Sequence, residues 1–100
     1  MKAKVVYIKW IDSCISDGER TREQLDTEVA EMWTVGIHGG ENERTVTVSR
    51  ELHISDGAPT GYRDSITIPR ECIQNYQVLG YIRDGVYERE RIIPGPDGEL

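Results

Sequence analysis

Residues 62 to 73 read YRDSITIPRECI, so that a proline stands between two short runs of β-forming residues. Pro69 has no backbone N–H to give to a strand ladder, and it restricts Ile68 before it to extended backbone. Because proline also suits the first position of a tight turn, we predict that a strand, DSITIP, stops at Pro69. A second strand, ECIQNYQVL at 71–79, then restarts the chain. The side chains predicted to face the core are Ile66, Ile68 and Ile73.

Three earlier runs show the period-two alternation that is typical of strands. The first is KVVYIKWI at 4–11, in which one face carries Val6, Ile8 and Trp10. We therefore expect Trp10 to belong to the core. A Gly/Asn cluster separates the other two runs, VAEMWTVGIH at 29–38 and RTVTVSREL at 44–52, and this arrangement predicts a hairpin.

Two polar stretches connect these strands. Residues 12–28 are acidic and contain an Asp-Gly pair, so we predict a long connection, which either carries one helical turn capped by Thr21 and Gln24 or is extended throughout. His53 to Arg63 contain another Asp-Gly pair and a proline, and we predict a loop there. The order of strands and loops predicts an all-β fold, a small five-stranded antiparallel barrel over residues 1–80.

Residues 81–100 lie beyond this barrel and are predicted to form a C-terminal hairpin extension and a flexible tail. Asp84-Gly85 stands between YIR and VYERERI, a pattern that indicates a two-residue hairpin, while a short charged helix over YERERII is the competing interpretation. The two prolines of PGPDGEL do not allow regular pairing. Because the ribbon carries apolar residues without enough partner surface, we expect it to pack against another copy in a homo-oligomer.

Composition narrows the classes of function. The chain carries 12 basic and 18 acidic residues, a formal net charge of −6, which disfavours nucleic-acid binding through a broad basic face. It has two cysteines without paired spacing and no apolar stretch near the roughly 20 residues of a membrane span, so we expect a soluble, reduced, cytoplasmic protein. Its two histidines lie in no metal-ligand or catalytic motif, which argues against an enzyme, a metal site or a cofactor.

A binding function fits the aromatic and arginine residues better. Aromatic faces stack on a base, and guanidinium groups bind phosphate through two hydrogen bonds, so together they suit a nucleotide or another small phosphorylated ligand. In the competing interpretation the tryptophans belong to the core and the arginines make ordinary surface ion pairs. The candidate ligand-binding residues are Trp33, Arg50, Tyr62, Arg63 and Arg70.

Four runs of the chain resemble a loose group of small proteins encoded by bacteriophages and prophages: WIDS, TVG, VTVSREL and YRDSITIPRECI. The most specific match is Ile68-Pro69-Arg70 followed by Ile73, and the resemblance covers roughly residues 5–79. It implies a phage setting and an SH3-like or Sm-like barrel. The last run is also similar to the end of an SH3 domain, but residues 70–72 replace those of its peptide groove, so recognition of proline-rich peptides is not carried over.

The phage setting and the lack of catalytic motifs suggest a non-enzymatic accessory protein that acts in the host cytoplasm. We expect it to serve in counter-defence, where it binds a host protein or sequesters a host nucleotide immune signal. One alternative is an Sm-like nucleic-acid-binding ring, which the net charge of −6 disfavours. The other alternative is a minor structural component of the virion, with the chain after Gly80 as a docking arm.

Overall fold

The computed structural model describes residues 1–13 and 29–90 of the chain. This part contains six β-strands, one short 3₁₀ turn and no α-helix, so the prediction of an all-β fold is confirmed. The strands are β1 (Lys2–Ser13), β2 (Val29–Glu41), β3 (Thr45–Ser55), β4 (Ala58–Pro69), β5 (Ile73–Arg83) and β6 (Val86–Arg89), and the 3₁₀ turn is Arg70–Cys72. The predicted connection at 12–28 begins two residues later than expected, because Asp12 and Ser13 belong to β1; its remainder, 14–28, and the predicted tail lie outside the described residues.

All six strands belong to one antiparallel sheet with the order β4-β3-β2-β1-β5-β6. Strands that are consecutive in the chain pair with each other, with one exception. β5 does not pair with β4, which precedes it, but with β1. The sheet is not closed, because β4 and β6 are its two edges. It therefore differs from a closed five-stranded barrel, and its sixth strand is the second half of the predicted C-terminal hairpin.

The core lies between the middle of β1 and the parts of β3 and β4 that lie outside the turn-proximal half of their hairpin, around Val46 and Ile68. Its fully or almost fully buried side chains are Val6, Ile8, Trp10, Val46, Val48 and Ile68. The prediction that Trp10 belongs to the core is confirmed, and its indole Nε1 donates a hydrogen bond to Thr34 Oγ1 at 2.9 Å. Each large aliphatic side chain buried here contributes about 1.5–3 kcal/mol.

The sheet has to bend across β2, because the core brings side chains of β1 and β3 together although β2 separates them in the sheet. Gly36 allows this bend. A Cβ atom at Gly36 would lie 2.6 Å from Val48 Cγ1 and 2.7 Å from the carbonyl oxygen of Ser49. A side chain at position 36 would thus force β3 away from β2.

The pairing of β2 with β3 covers only part of each strand. It runs from Ile37↔Ser49 to Glu41↔Val46, so the first half of β2 pairs with β1 alone and the second half of β3 pairs with β4 alone. We call the gap between these two half-strands the fork. The part of the β3–β4 hairpin beyond it, residues 50–63, is mostly exposed and is called the distal arm.

Two hairpins of the sheet have the same two-residue turn. Asp56 and Gly57 connect β3 to β4 with φ of 52° and 75°, and Asp84 and Gly85 connect β5 to β6 with φ of 50° and 81°. Positive φ at both central residues is the type I′ geometry that matches the twist of paired strands. The predicted hairpin at Asp84-Gly85 is therefore confirmed, and the described residues up to Arg89 exclude the helical interpretation there.

The predicted loop from His53 to Arg63 is wrong. The strands β3 and β4 continue through this region and stay paired up to Ser55↔Ala58. The physical reason is that Asp56-Gly57 makes a tight turn instead of a loop, and that Pro59 and Gly61 lie in β4 at the edge of the sheet, where a missing N–H or side chain costs little.

The joint after β4 has the predicted form. Pro69 is the last residue of β4, the 3₁₀ turn follows, and β5 begins at Ile73. Ile68 is fully buried and Ile73 packs against the core, as predicted, whereas Ile66 is 38% exposed. The prediction that Ile66 faces the core is therefore wrong, since it lies where β3 and β4 begin to leave the core.

Candidate functional site

The candidate site is an open apolar cleft of about 480 Å³ between the distal arm and the β5–β6 hairpin. The two type I′ turns stand at its margins, where Gly57 and Asp84-Gly85 line it. Its floor and walls are aliphatic, and the side chains that form them are Ala3, Ile37, Leu52, Ile54 and Ile82. This group of residues is called the apolar cleft below.

Strand register explains why these side chains meet. Ala3 of β1 lies opposite Ile82 of β5, so that their side chains share one face of the sheet. Leu52 and Ile54 are two residues apart on β3 and point to the same side of the distal arm. The arm and the start of β1 therefore present apolar surfaces to each other across the cleft.

The margin of the cleft carries one ion pair. The amino group of Met1 donates a hydrogen bond to Asp84 Oδ1 at 3.0 Å. This hydrogen bond, together with the positive charge of the amino group, lowers the pKa of Asp84. A carboxylate at this turn therefore stays ionised at neutral pH, and the charged pair marks one end of the otherwise apolar surface.

Large apolar side chains around the cleft remain exposed. Ile54 is 44% exposed and Tyr62, on the opposite strand of the distal arm, is 48% exposed. On the edge strand β6, Tyr87 lies opposite Ile82 of the cleft and is 52% exposed. Single exposed apolar residues are ordinary, but a group of them around a concave apolar surface is typical of a binding site.

Among the predicted ligand-binding residues, Trp33 and Arg50 come together at the fork. Both line a shallow depression of about 250 Å³, with Trp33 on β2 and Arg50 on β3. Trp33 is 72% exposed, and its indole Nε1 donates a hydrogen bond to Glu31 Oε2 at 2.7 Å. This hydrogen bond and the ion pair between Lys9 and Glu31 lower the pKa of Glu31, so a carboxylate stands beside the indole.

Arg63 adjoins Arg50 in a neighbouring depression of about 430 Å³. The guanidinium of Arg50 lies 3.4 Å from Glu51 Oε1 and 3.5 Å from Asp64 Oδ2. Arg63 is paired across the ladder with Glu51. These carboxylates offset much of the positive charge that a phosphate would need at this place.

Arg70 has a structural contact and lies apart from the other predicted residues. Its Nε donates to the carbonyl oxygen of Asn42 at 2.7 Å, and its Nη2 donates to Glu41 Oε2. The backbone N–H of Arg70 also donates to the carbonyl oxygen of Arg44 at 2.8 Å. We call this group the Arg70 clamp. It ties the 3₁₀ turn to the β2–β3 turn, and its hydrogen bonds lower the pKa of Glu41.

Tyr62, also a predicted ligand-binding residue, lies in a separate pocket whose other residues the sequence did not indicate as a site. It lines a pocket of about 200 Å³ together with Lys2, Lys4 and His38. One signal was present in the sequence, because all three lysines of the chain lie within its first nine residues. What the sequence could not indicate is that the distal arm would place Tyr62 beside them.

Comparison with known proteins found no matching family, no matching curated protein and no matching solved structure. In residues 1–13 and 29–90, no helix is long and apolar enough to cross a membrane. The same ranges hold no cluster of three histidine, cysteine or acidic side chains that could bind a metal ion.

Proposed function

We propose that this chain is a non-enzymatic binding protein of a bacteriophage and that it binds a host protein through the apolar cleft. The observation that carries the proposal is the cleft itself, an open concave surface of five aliphatic residues with Ile54 44% exposed at its margin. A protein keeps such a surface in water at a cost, and a partner that covers it recovers that free energy.

The size of the cleft limits the binding free energy that it can contribute. Burial of a partner's leucine or isoleucine side chain there is worth about 1.5–3 kcal/mol. A stable interface needs on the order of 1,000 Å² of buried surface in total, which is more than the cleft alone supplies. The exposed residues of the distal arm and of β6, among them Tyr62 and Tyr87, provide the surrounding contact area.

The setting of the proposal comes from the resemblance to phage-encoded proteins. The 3₁₀ turn Arg70–Cys72 directly before β5 supports the SH3-like part of that resemblance. We infer an incompletely closed SH3-like barrel that acts in the host cytoplasm, where counter-defence proteins meet their targets. The exposed edge strand β6 is compatible with the homo-oligomer that the sequence suggested.

Site-specific photocrosslinking tests the proposal. The chain is produced in the bacterial host with a benzophenone amino acid in place of Ile54. A matched variant carries the same amino acid in place of Thr67, which lies opposite Thr47 in the part of β4 near the core and does not line the cleft. We expect one host protein to crosslink from position 54 and not from 67, and the crosslink to disappear when Ile82 is changed to serine. Equal crosslinking from both positions, or none from position 54, contradicts the proposal.

A small phosphorylated ligand at the fork is the second candidate, because Trp33 presents an exposed indole beside Arg50. Stacking of a base on Trp33 quenches its fluorescence, while Trp10 is buried in the core and serves as an internal reference. A titration with cyclic mono- and dinucleotides should quench the wild-type protein and leave Trp33→Phe unchanged. Equal signals from both proteins would remove this candidate.

A further inference from the structure

A second pocket of different chemistry adjoins the apolar cleft. It has a volume of about 200 Å³. Its polar wall comes from Lys2 and Lys4 on β1 and from His38 on β2, and its apolar wall comes from Leu52, Pro59 and Tyr62 of the distal arm. We call it the cationic pocket.

The two lysines carry charge that nearby carboxylates do not neutralise. Both ammonium groups lie against tyrosine rings of β5 that do not line the pocket, with Lys2 Nζ 4.0 Å from the centre of the Tyr81 ring and Lys4 Nζ 5.9 Å from the centre of the Tyr76 ring. Within the described ranges, neither ammonium has a carboxylate oxygen within 4.0 Å, whereas Lys9 on the same strand lies 3.4 Å from Glu31. Two ammonium groups without an ion pair in the described residues thus stand close together along one strand of a chain whose net charge is −6.

The nearest acidic groups already have cationic partners. Glu41 accepts the hydrogen bond of the Arg70 clamp, and its other carboxylate oxygen lies 3.2 Å from His38 Nε2. Lys4 also feels the charge of Glu41, although it makes no ion pair with it. Asp84, at the far side of the apolar cleft, is paired with the amino group of Met1. Among the side chains that line the pocket, Lys2 and Lys4 are therefore the cations without a carboxylate partner in the described residues.

We propose that the cationic pocket binds the phosphate group of a small phosphate monoester, toward which the ammonium groups of Lys2 and Lys4 turn from the tyrosine rings of β5. Such a group carries about −1.5 to −2 charges at pH 7, which matches two ammonium groups, whereas a carboxylate carries one. Lysine ammonium groups bind phosphate as point charges, and the hydroxyl of Tyr62 offers a further donor. The ring of Tyr62 and the side chains of Leu52 and Pro59 form an apolar wall for the organic part of the ester.

Calorimetric and NMR titrations with phenyl phosphate test this assignment, with adenosine monophosphate and a phosphotyrosine peptide as separate arms that distinguish a free ester from a modified protein. Lys2→Gln/Lys4→Gln should weaken the binding of phenyl phosphate at least tenfold. Lys9→Gln removes a lysine of the same strand and should leave the affinity unchanged within twofold. The amide signals that move should be those of β1 and of the distal arm.

Equal affinity of the wild type and of Lys2→Gln/Lys4→Gln overturns the proposal, and so does an affinity for benzoate equal to that for phenyl phosphate. Tighter binding of the peptide than of both free esters also overturns it, because the ligand would then be a protein. The Ile82→Ser variant separates this proposal from the proposed function, since it removes part of the apolar cleft and should leave the affinity for phenyl phosphate unchanged.

Discussion

The two halves of the β3–β4 hairpin share one ladder but have different surroundings. In the half that pairs beside β2, Val46, Val48 and Ile68 are buried to 2% exposure or less. In the distal arm, Ile54 is 44% exposed and Tyr62 is 48% exposed. The half beside β2 is rich in β-branched residues, whereas the distal arm has only Ile54, Thr60 and Tyr62 as β-branched or aromatic residues, so the halves differ in strand propensity as well as in what covers them.

Polar side-chain contacts join the two strands in both halves. Near the core, Thr47 Oγ1 and Thr67 Oγ1 share a hydrogen bond of 2.9 Å, and the hydroxyls of Ser49 and Ser65 share one of 2.6 Å. In the distal arm, Thr60 Oγ1 lies 3.1 Å from His53 Nδ1 and 3.2 Å from the carbonyl oxygen of His53, but these contacts are exposed and no side chain of the arm is buried. Regions with few buried contacts open at low free-energy cost, and binding surfaces are often drawn from them. The hairpin therefore has a stabilising half and an adaptable half.

The largest expected effect separates these halves directly. Ile68→Ala should lower the free energy of unfolding by about 2–5 kcal/mol, because it removes a fully buried side chain and leaves a cavity. Ile54→Ala, the same change in the distal arm, should cost less than about 1 kcal/mol. Urea denaturation followed by circular dichroism measures both values. Similar losses would show that the arm is as well packed as the core.

A second comparison concerns Gly36, which lies beside the core, and Gly61, which lies in the distal arm. Gly36→Ala places a methyl group 2.6 Å from Val48 Cγ1 and should cost about 1–3 kcal/mol. Gly61→Ala, in the distal arm, meets nothing within 4 Å and should change stability by about 0.5 kcal/mol or less. Thermal unfolding of both variants checks this. An unchanged melting temperature for Gly36→Ala would mean that the sheet does not bend there as described.

The smallest expected effect concerns two of the predicted arginines. Arg70→Ala should cost about 1 kcal/mol near neutral pH, because it removes the two side-chain hydrogen bonds of the Arg70 clamp, while Arg63→Ala in the distal arm should cost a few tenths. In the folded protein the pKa of Glu41 lies below its ordinary value of 4.5. Its contribution is therefore present above pH 4.5 and is lost as the pH falls through the lower, folded value.

Denaturation series from pH 7 to pH 3 measure this dependence. The stability difference between the wild type and Arg70→Ala should shrink below about pH 4.5 as Glu41 becomes protonated. The difference between the wild type and Arg63→Ala should stay constant. A constant difference for Arg70→Ala would show that its hydrogen bond to the Asn42 carbonyl, and not its pairing with Glu41, provides the stabilisation.

The features that the sequence predicted are those with local causes. The alternation that ends at Trp10 fixes which face of β1 is buried, and Pro69 stops β4 through its own covalent structure. The turn at Asp84-Gly85 also follows from two adjacent residues. Asp56-Gly57 is the same signal, but a nearby proline and glycine made it look like part of a loop, and the strands of the distal arm were missed for that reason.

The features that the sequence did not predict depend on distant residues. Nothing near Trp33 indicates that β3 diverges from β2, yet this divergence leaves the indole exposed. The role of Arg70 in the clamp depends on Asn42 and Glu41, which are 28 and 29 residues away in the sequence. The cationic pocket likewise requires the distal arm to reach the start of β1. Such sites follow from the curvature of the sheet, which residue patterns do not encode.

The pairing of β1 with β5 has a consequence for the order of folding. Every other pair in the sheet joins strands that are neighbours along the chain, and these hairpins can form with little loss of chain entropy. The β1–β5 ladder, from Lys2↔Arg83 to Trp10↔Ile73, has to bring the two ends of the domain together. Contacts of such high sequence separation slow folding, so closure of this ladder should limit the folding rate. Substitutions at Ile73 should then slow folding, and those in the distal arm should mainly speed unfolding.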